Sequence, residues 1–167
     1  AESLGVLGKA ALPELKEALL TNKNVVLRRA AAKTLKLVGD PTALPDLLEA
    51  LINDTDPVVQ CSAAGAMAIF GEKAVNHLLK VLQNPKSSAM QNGLATWALS
   101  FIGAEAAGTL MKVASSNNPL IRCAAISALE NQIKSINEKD ARNILTKASN
   151  DNCHEVQIEA IRLLGKL

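Results

Sequence analysis

Tyrosine is absent from this chain of 167 residues, and one tryptophan and two phenylalanines are its only aromatics, 2% of the total. That scarcity excludes a large aromatic core, a stacking platform for single-stranded nucleic acid and a β-sandwich. An excess of one charge is missing too: 18 Lys and Arg against 16 Asp and Glu leave a net charge of +2. Neither nucleic acid nor an anionic membrane is an expected partner on that balance. Cysteine is sparse. Cys61, Cys123 and Cys153 are odd in number and far apart, which argues against a disulfide framework and for a reducing compartment. The longest apolar stretch, Leu94 to Ala104, is interrupted by Thr96 and Ser100 and is too short to span a bilayer. No secretory leader, phosphate loop, dinucleotide fingerprint or Gly-x-Ser-x-Gly nucleophile motif occurs. The chain opens at Ala1 without Met and closes just after a helical pattern, as expected of an internal piece of a longer array or a processed product.

What is present is alanine and leucine in a repeating order. Apolar residues make up 49%, too many for a disordered chain, and their identities favour helices. The segment Arg28 to Gly39 aligns with Gln60 to Gly71, then with Asn92 to Gly103, Arg122 to Ile133 and His154 to Gly165. Gly8, Gly39, Gly71 and Gly103 are spaced by 31, 32 and 32 residues; Ile133 then replaces glycine. Each unit reads as two helices. The first is Ala-rich, with Leu27, Ala30, Ala31, Leu35 and Val38 as its apolar stripe, and glycine ends it. The second is Leu-rich, as in Leu44, Leu47, Leu48 and Leu51. Polar linkers such as Asn53 to Pro57 and Ser115 to Pro119 supply turn and N-cap chemistry. A pair of short helices cannot bury its own apolar face, so the pairs must stack. The expectation is an all-α fold, a right-handed α-α superhelix running as one array over residues 1–167 in about five layers. The glycine-free connection Asn131 to Asn137 predicts a prolonged helix or a shifted turn, with the next helix starting near Glu138.

Equivalent positions in such a stack form rows. On the Leu-rich helices one row reads Glu14, Asp46, His77, Thr109 and its neighbour Glu17, Glu49, Lys80, Lys112. Both are expected on one exposed, concave surface, acidic in its first half and basic in its second. They are either ordinary solvated charge or a groove for a partner with an acidic end. Trp97 sits in the row Lys33, Gly65, Trp97, Ser127, Glu159 and should be at least half exposed. Its ring either fills space left by Gly65 or contacts a partner or flat ligand. The row Arg28, Gln60, Asn92, Arg122, His154 is expected to fix linker carboxylates such as Asp54 or Asp56. Cys61 and Cys123 lie roughly 20 Å apart at a helix-diameter rise and cannot bridge. Cys153 aligns with the apolar Leu27, Val59 and Ile121. No cysteine pair has metal-ligand spacing.

The period, the Arg and Ala-Ala of the first helix and the glycine between helices resemble HEAT-type repeats. The Trp/Gly/Tyr pattern of tetratricopeptide units is missing, and armadillo units are longer. HEAT-like deoxyhypusine hydroxylases carry several His-Glu pairs at helix starts; here His154-Glu155 stands alone, so no metal site is expected. The segments Val26 to Pro41 and Ala95 to Gly103 resemble the cyanobacterial phycobilin-lyase type of HEAT-like repeat. That resemblance implies a protein that holds a linear tetrapyrrole transiently, with no tightly bound cofactor, and docks a phycobiliprotein subunit or a related lyase subunit. The acceptor's own cysteine would be the nucleophile, in the cyanobacterial cytosol or plastid stroma. His77, Lys80 and Lys112 are then candidates for the bilin propionates, Asp46 or Glu49 for the pyrrole N–H groups and Trp97 for ring contact, with no catalytic residue and no metal. The alternative is a non-catalytic scaffold for protein–protein interaction.

Overall fold

The computed structural model describes residues 8–102 and 104–167, all of them in helices and their connections. The Leu-rich helices are α1 (Leu12–Thr21), α3 (Leu44–Asn53), α5 (Glu72–Gln83), α7 (Ala107–Val113) and α9 (Glu138–Ala148). The Ala-rich helices are α2 (Val25–Val38), α4 (Pro57–Met67), α6 (Ala89–Ser100), α8 (Pro119–Ala128) and α10 (His154–Leu164). Short 3-10 turns at Pro41–Ala43, Ala68–Phe70, Ala104–Ala106 and Leu129–Ser135 join the two kinds.

The linkers start the Ala-rich helices as their sequence dictates. Asn24 accepts from the Val26 N–H, Asp56 from Val58 and Val59, and Asn118 from Leu120, with Pro57 and Pro119 in the first turn. Ser88 and Gln91 form a reciprocal capping box on α6. Gly39 closes α2 in the left-handed region at φ 68°, its N–H donating to the Leu35 carbonyl. Gly71 (φ 58°, ψ −139°) turns the chain between Phe70 and α5, where a Cβ would run into the Glu105 carboxylate. Gly8 is helical, not a left-handed turn, and lies against Val38, which a Cβ would meet at 3.2 Å. The expected turn at Gly103 lies outside the described residues.

Two layers result. The Ala-rich helices stack in chain order, α2 on α4, α4 on α6, α6 on α8 and α8 on α10, and each Leu-rich helix packs against the Ala-rich helix that follows it. Fully buried alanines such as Ala32, Ala63, Ala64, Ala95 and Ala98 let those axes approach closely. Leu47, Leu51, Leu78 and Leu110 close the core from the other layer. Stacking is closer among the Ala-rich helices than among the Leu-rich ones, so the Ala-rich layer takes the inside of the curve. This corrects the expectation of a concave Leu-rich surface: small side chains, not charge rows, set the inner face.

Two further expectations change. Leu27 and Ala30 are exposed; the buried stripe of α2 is Ala31, Ala32 and Leu35. The last copy is also displaced by three residues. The residues preceding the Ala-rich helices are Asn24, Asp56, Ser88, Asn118 and Cys153, spaced 32, 32, 30 and 35. The 3-10 turn Leu129–Ser135 lengthens the last interval, with α9 starting at Glu138. Cys153 is therefore a cap position, its N–H donating to Asp151 Oδ1 as Asp56 donates to Asp54. Val156 takes the buried place of Val59 and Ile121. Gly165 follows α10 at φ −68° and is not a left-handed turn.

Candidate functional site

The cap-proximal row holds the layers in register. Arg28 Nε and Nη2 donate to Asp54 at 2.7 and 3.0 Å, while Nη1 donates to the Asn22 carbonyl. Arg122 repeats this with Asp151 at 2.8 and 2.7 Å and with the Ser116 carbonyl. Burial works against ionisation of Asp54, but Arg28 and the Asp56 N–H together hold its carboxyl below the ordinary range. Gln60 and, in the corrected register, Gln157 rather than His154 keep only the carbonyl bond, to Asp54 and Asp151. Arg29 pairs with Asp56 at 2.9 Å.

Asn92 breaks this row. Its side chain is one methylene shorter than that of Gln60, and its Oδ1 is buried without a hydrogen-bond partner. Such an orphaned acceptor costs about 1–3 kcal/mol. One turn further along α6, Trp97 breaks the neighbouring row. Its ring lies over Gly65, whose α-carbon would carry a Cβ 3.4 Å from it, and it meets Phe101 edge-on at 5.1 Å between centroids. Trp97 nevertheless keeps 43% of its surface exposed.

Both breaks line one cavity of about 590 Å³ between α6 and α8, bounded also by Gly93, Leu120, Ser127 and Glu130. It is an open groove along the two helices and not an enclosed cavity. Glu130 receives hydrogen bonds from Arg162 Nη2, at 2.7 Å, and from Lys166 Nζ; these lower its carboxyl to about 2. Arg162, not Glu159, is thus the α10 member of the Trp97 row. Among the described residues, every exposed large apolar side chain except Leu20 lies on the Ala-rich helices or their ends, Leu37 and Phe101 prominent among them.

The other candidates lie in the Leu-rich layer and do not line that cavity. Asp46 (α3) is bound by Lys16 at 3.2 Å, and Glu49 accepts from Asn53 at 2.8 Å. His77 (α5) has Nδ1 3.2 Å from the Lys73 carbonyl, and Lys80 is exposed. Lys112 (α7) borders a separate cleft of about 400 Å³ against α9, with Met111, Asp140 and Ile144. Asn92 and Glu130 were missed by sequence reasoning. The signal for Asn92 was present, since an Asn stood in an Arg and Gln row; that for Glu130 was hidden by the displaced final copy.

Cys61, Cys123 and Cys153 are free, and burial with nearby acidic groups raises the Cys123 thiol. Among the described residues no His, Cys, Asp or Glu cluster of three is placed to hold a metal ion, and no helix is long and apolar enough to cross a membrane.

A profile of HEAT repeats matches residues 12–100. The chain is 51% identical over 166 residues to the bilin biosynthesis protein MpeU of Synechococcus sp. (strain WH8020), covering 99% of this chain and 56% of that protein. It thus spans just over half the length of that relative. The complex of CpcE and CpcF of phycocyanin lyase from Nostoc sp. PCC7120 superposes with a TM-score of 0.48 at 23% identity, over 98% of this chain and 66% of that one. An engineered protein superposes with a TM-score of 0.44 at 22% identity, over 96% and 80%.

Proposed function

Since the chain belongs to the HEAT-repeat family, a class that binds along a continuous helical face, we propose that it assists attachment of a linear tetrapyrrole to a phycobiliprotein cysteine, or phycobilisome maintenance. One observation carries this reading. A chain 51% identical to a bilin biosynthesis protein has a half-exposed Trp97 lining an open groove of about 590 Å³ between α6 and α8. The bilin lies against Trp97 and the apolar side chains around it. The acceptor cysteine's thiolate adds to an ethylidene or vinyl carbon of the bilin. The C–S bond forms, the C=C π bond opens, and a proton from solvent goes to the adjoining carbon. This chain's part is to position the two reactants. Its own Cys123, held as the neutral thiol, is a poor competitor for that addition.

In this reading the Leu-rich face meets the protein partner, a phycobiliprotein subunit or a related lyase subunit, in the cyanobacterial cytosol or plastid stroma. His77, Lys80 and Lys112 form its basic half, and Asp46 and Glu49 its acidic half. A second reading, a non-catalytic scaffold, is favoured by the row of exposed apolar side chains Val26, Val58, Met90 and Leu120, each two residues after the cap of its Ala-rich helix.

Trp97 is the only tryptophan, and tyrosine is absent, so intrinsic fluorescence reports this one site. Titration with free phycocyanobilin is expected to quench that emission saturably and shift the bilin spectrum. Trp97→Ala should weaken the binding seen by absorbance about tenfold or more. Absence of saturable binding overturns the bilin reading in favour of the scaffold.

A further inference from the structure

We propose that the inner face of α2, α4 and α6 docks an amphipathic helix of the acceptor phycobiliprotein, laid across the three helices between two rows of apolar side chains. This rests on the attachment reading above: a thiol that adds to a bilin at Trp97 has to be carried onto the face that Trp97 occupies, whichever partner meets the Leu-rich one.

Each of the three helices exposes one apolar side chain two residues after its cap and another eleven residues later. The pairs are Val26 and Leu37, Val58 and Ile69, and Met90 and Phe101, all at least 43% exposed. Eleven residues make about three helical turns, so the two members of a pair point the same way, about 16 Å apart. Two parallel rows therefore cross the stack. The floor between them is low on α4, where Gly65 lies under the Trp97 ring, and open at Gly93, with nothing within 4 Å of the place of a Cβ. Both rows then stop. Asn131 takes the place of Phe101 on α8, and Glu155 and Lys166 take both places on α10. An exposed apolar patch with a polar rim marks an interaction surface.

The dimensions select a helix as the occupant. A helix with its side chains is about 10–12 Å wide and reaches both rows, whereas an extended strand, about 5 Å from its neighbour in a sheet, would reach one. Stacked helix axes lie about 8–10 Å apart, and a docked helix returns to the same side every seven residues, about 10 Å along its axis. One apolar residue per layer follows, and about 12 residues cross the three layers. Charge sets the direction. On α2, Lys33 holds the place of Trp97, with Lys36 close by, and among the described residues neither makes an ion pair, whereas Arg28 and Arg29 are committed to Asp54 and Asp56. Acidic residues of the docked helix belong over α2. Its other end then reaches α6, beside the groove that takes the bilin.

The test is calorimetric titration of the full chain with the separated apo-subunits of phycocyanin, repeated for Val58→Asp, Ile69→Asp and Ile161→Asp. Val58 and Ile69 lie in the rows on α4 and do not line the α6–α8 groove. Ile161 is 60% exposed but lies off the inner face, at the place on α10 that Ile126 buries on α8. One apo-subunit is expected to bind, each α4 variant to weaken it about tenfold or more, and Ile161→Asp to leave it unchanged. Lys33→Glu should weaken it several-fold, and Lys33→Arg should not. Cys61, exposed between the rows on α4, should react with N-ethylmaleimide more slowly in the complex than in the free chain. Phycocyanobilin quenching of Trp97 should be the same in the α4 variants as in the wild type. Unchanged affinity in both α4 variants, with Cys61 unprotected, overturns this assignment and leaves the bilin reading to its own titration. An equal loss in Ile161→Asp means general apolar adhesion and overturns it too, as does failure of both apo-subunits to bind the wild type. Circular dichroism checks each fold. If Ile69→Asp disturbs its turn, Val58→Asp decides alone, since a carboxylate in the first turn of α4 suits the helix dipole.

Discussion

The layers built by α2 to α5 and those built from α6 onward use the same helical unit to different ends. In the first region the turns are made by Gly39 and Gly71, α3 and α5 have 10 and 12 residues, and Arg28 is locked onto Asp54. A crevice beside it, between α1 and α3, holds about 150 Å³. In the second region α7 shrinks to 7 residues, a 3-10 turn replaces the glycine connection, and Asn92 leaves its row unpaired. An opening of about 650 Å³ lies between the linker 114–117 and α9 with its following linker, one of about 400 Å³ between α7 and α9, and one of about 590 Å³ between α6 and α8. Regular layers close upon themselves; irregular ones leave room. The candidate site therefore lies where the repeat is broken.

The strongest way to break the regular half is at its turns. Gly71→Ala forces a side chain into backbone space nearly reserved for glycine and against Glu105, at a cost of roughly 1–3 kcal/mol. Gly39→Ala, with nothing within 4 Å of the new Cβ, should cost only about 1 kcal/mol. Urea unfolding of the two variants side by side checks that order.

The contrast is sharpened by restoring the broken row. The double variant Asn92→Arg with Ser116→Asp recreates the pairing seen at Arg28–Asp54 and Arg122–Asp151. It should stabilise the chain by about 1 kcal/mol, since the orphaned acceptor is gone and a cross-layer ion pair is added. A thermal melt reads the effect.

The smallest effect is in pH. Glu130 has its carboxyl lowered to about 2 by Arg162 and Lys166, against an ordinary value of 4.5. A depressed folded value means the unfolded chain takes up this proton first as pH falls. The contribution of Glu130 is fully present above about pH 5 and is lost progressively from there toward pH 2. The difference in melting temperature between wild type and Glu130→Gln should hold steady from pH 7 to 5 and shrink by pH 3.

Much of the fold was legible because it depends on local chemistry repeated many times. Linker Asn, Asp and Ser residues cap helices wherever they occur, alanine rows mark close stacking, and the glycine-free stretch before Glu138 announced an altered turn. The Arg28–Asp54 pair and the ring of Trp97 over Gly65 were also readable, because a repeat turns distance along the chain into neighbourhood in space. The displaced last copy was not. His154 to Gly165 matches the motif by residue type, and only the 3-10 turn ahead of α9 reveals that Gln157 and Arg162 occupy the rows given to His154 and Glu159. The charge rows on the Leu-rich helices attracted attention because charge is visible in a sequence and curvature is not.

By itself, the sequence determined the unit, its two kinds of helix, its caps and the one position where an aromatic interrupts a polar row. These follow from residue type and spacing within some 30 residues, where local hydrogen bonding and helical periodicity dominate. Only the tertiary structure decided which layer lies inside the curve, that Asn92, Trp97 and Glu130 share one cavity, and that the basic and acidic candidates of the Leu-rich helices lie elsewhere. Those outcomes depend on how closely neighbouring helix axes approach, which the packing of small side chains in successive layers sets and no single unit contains.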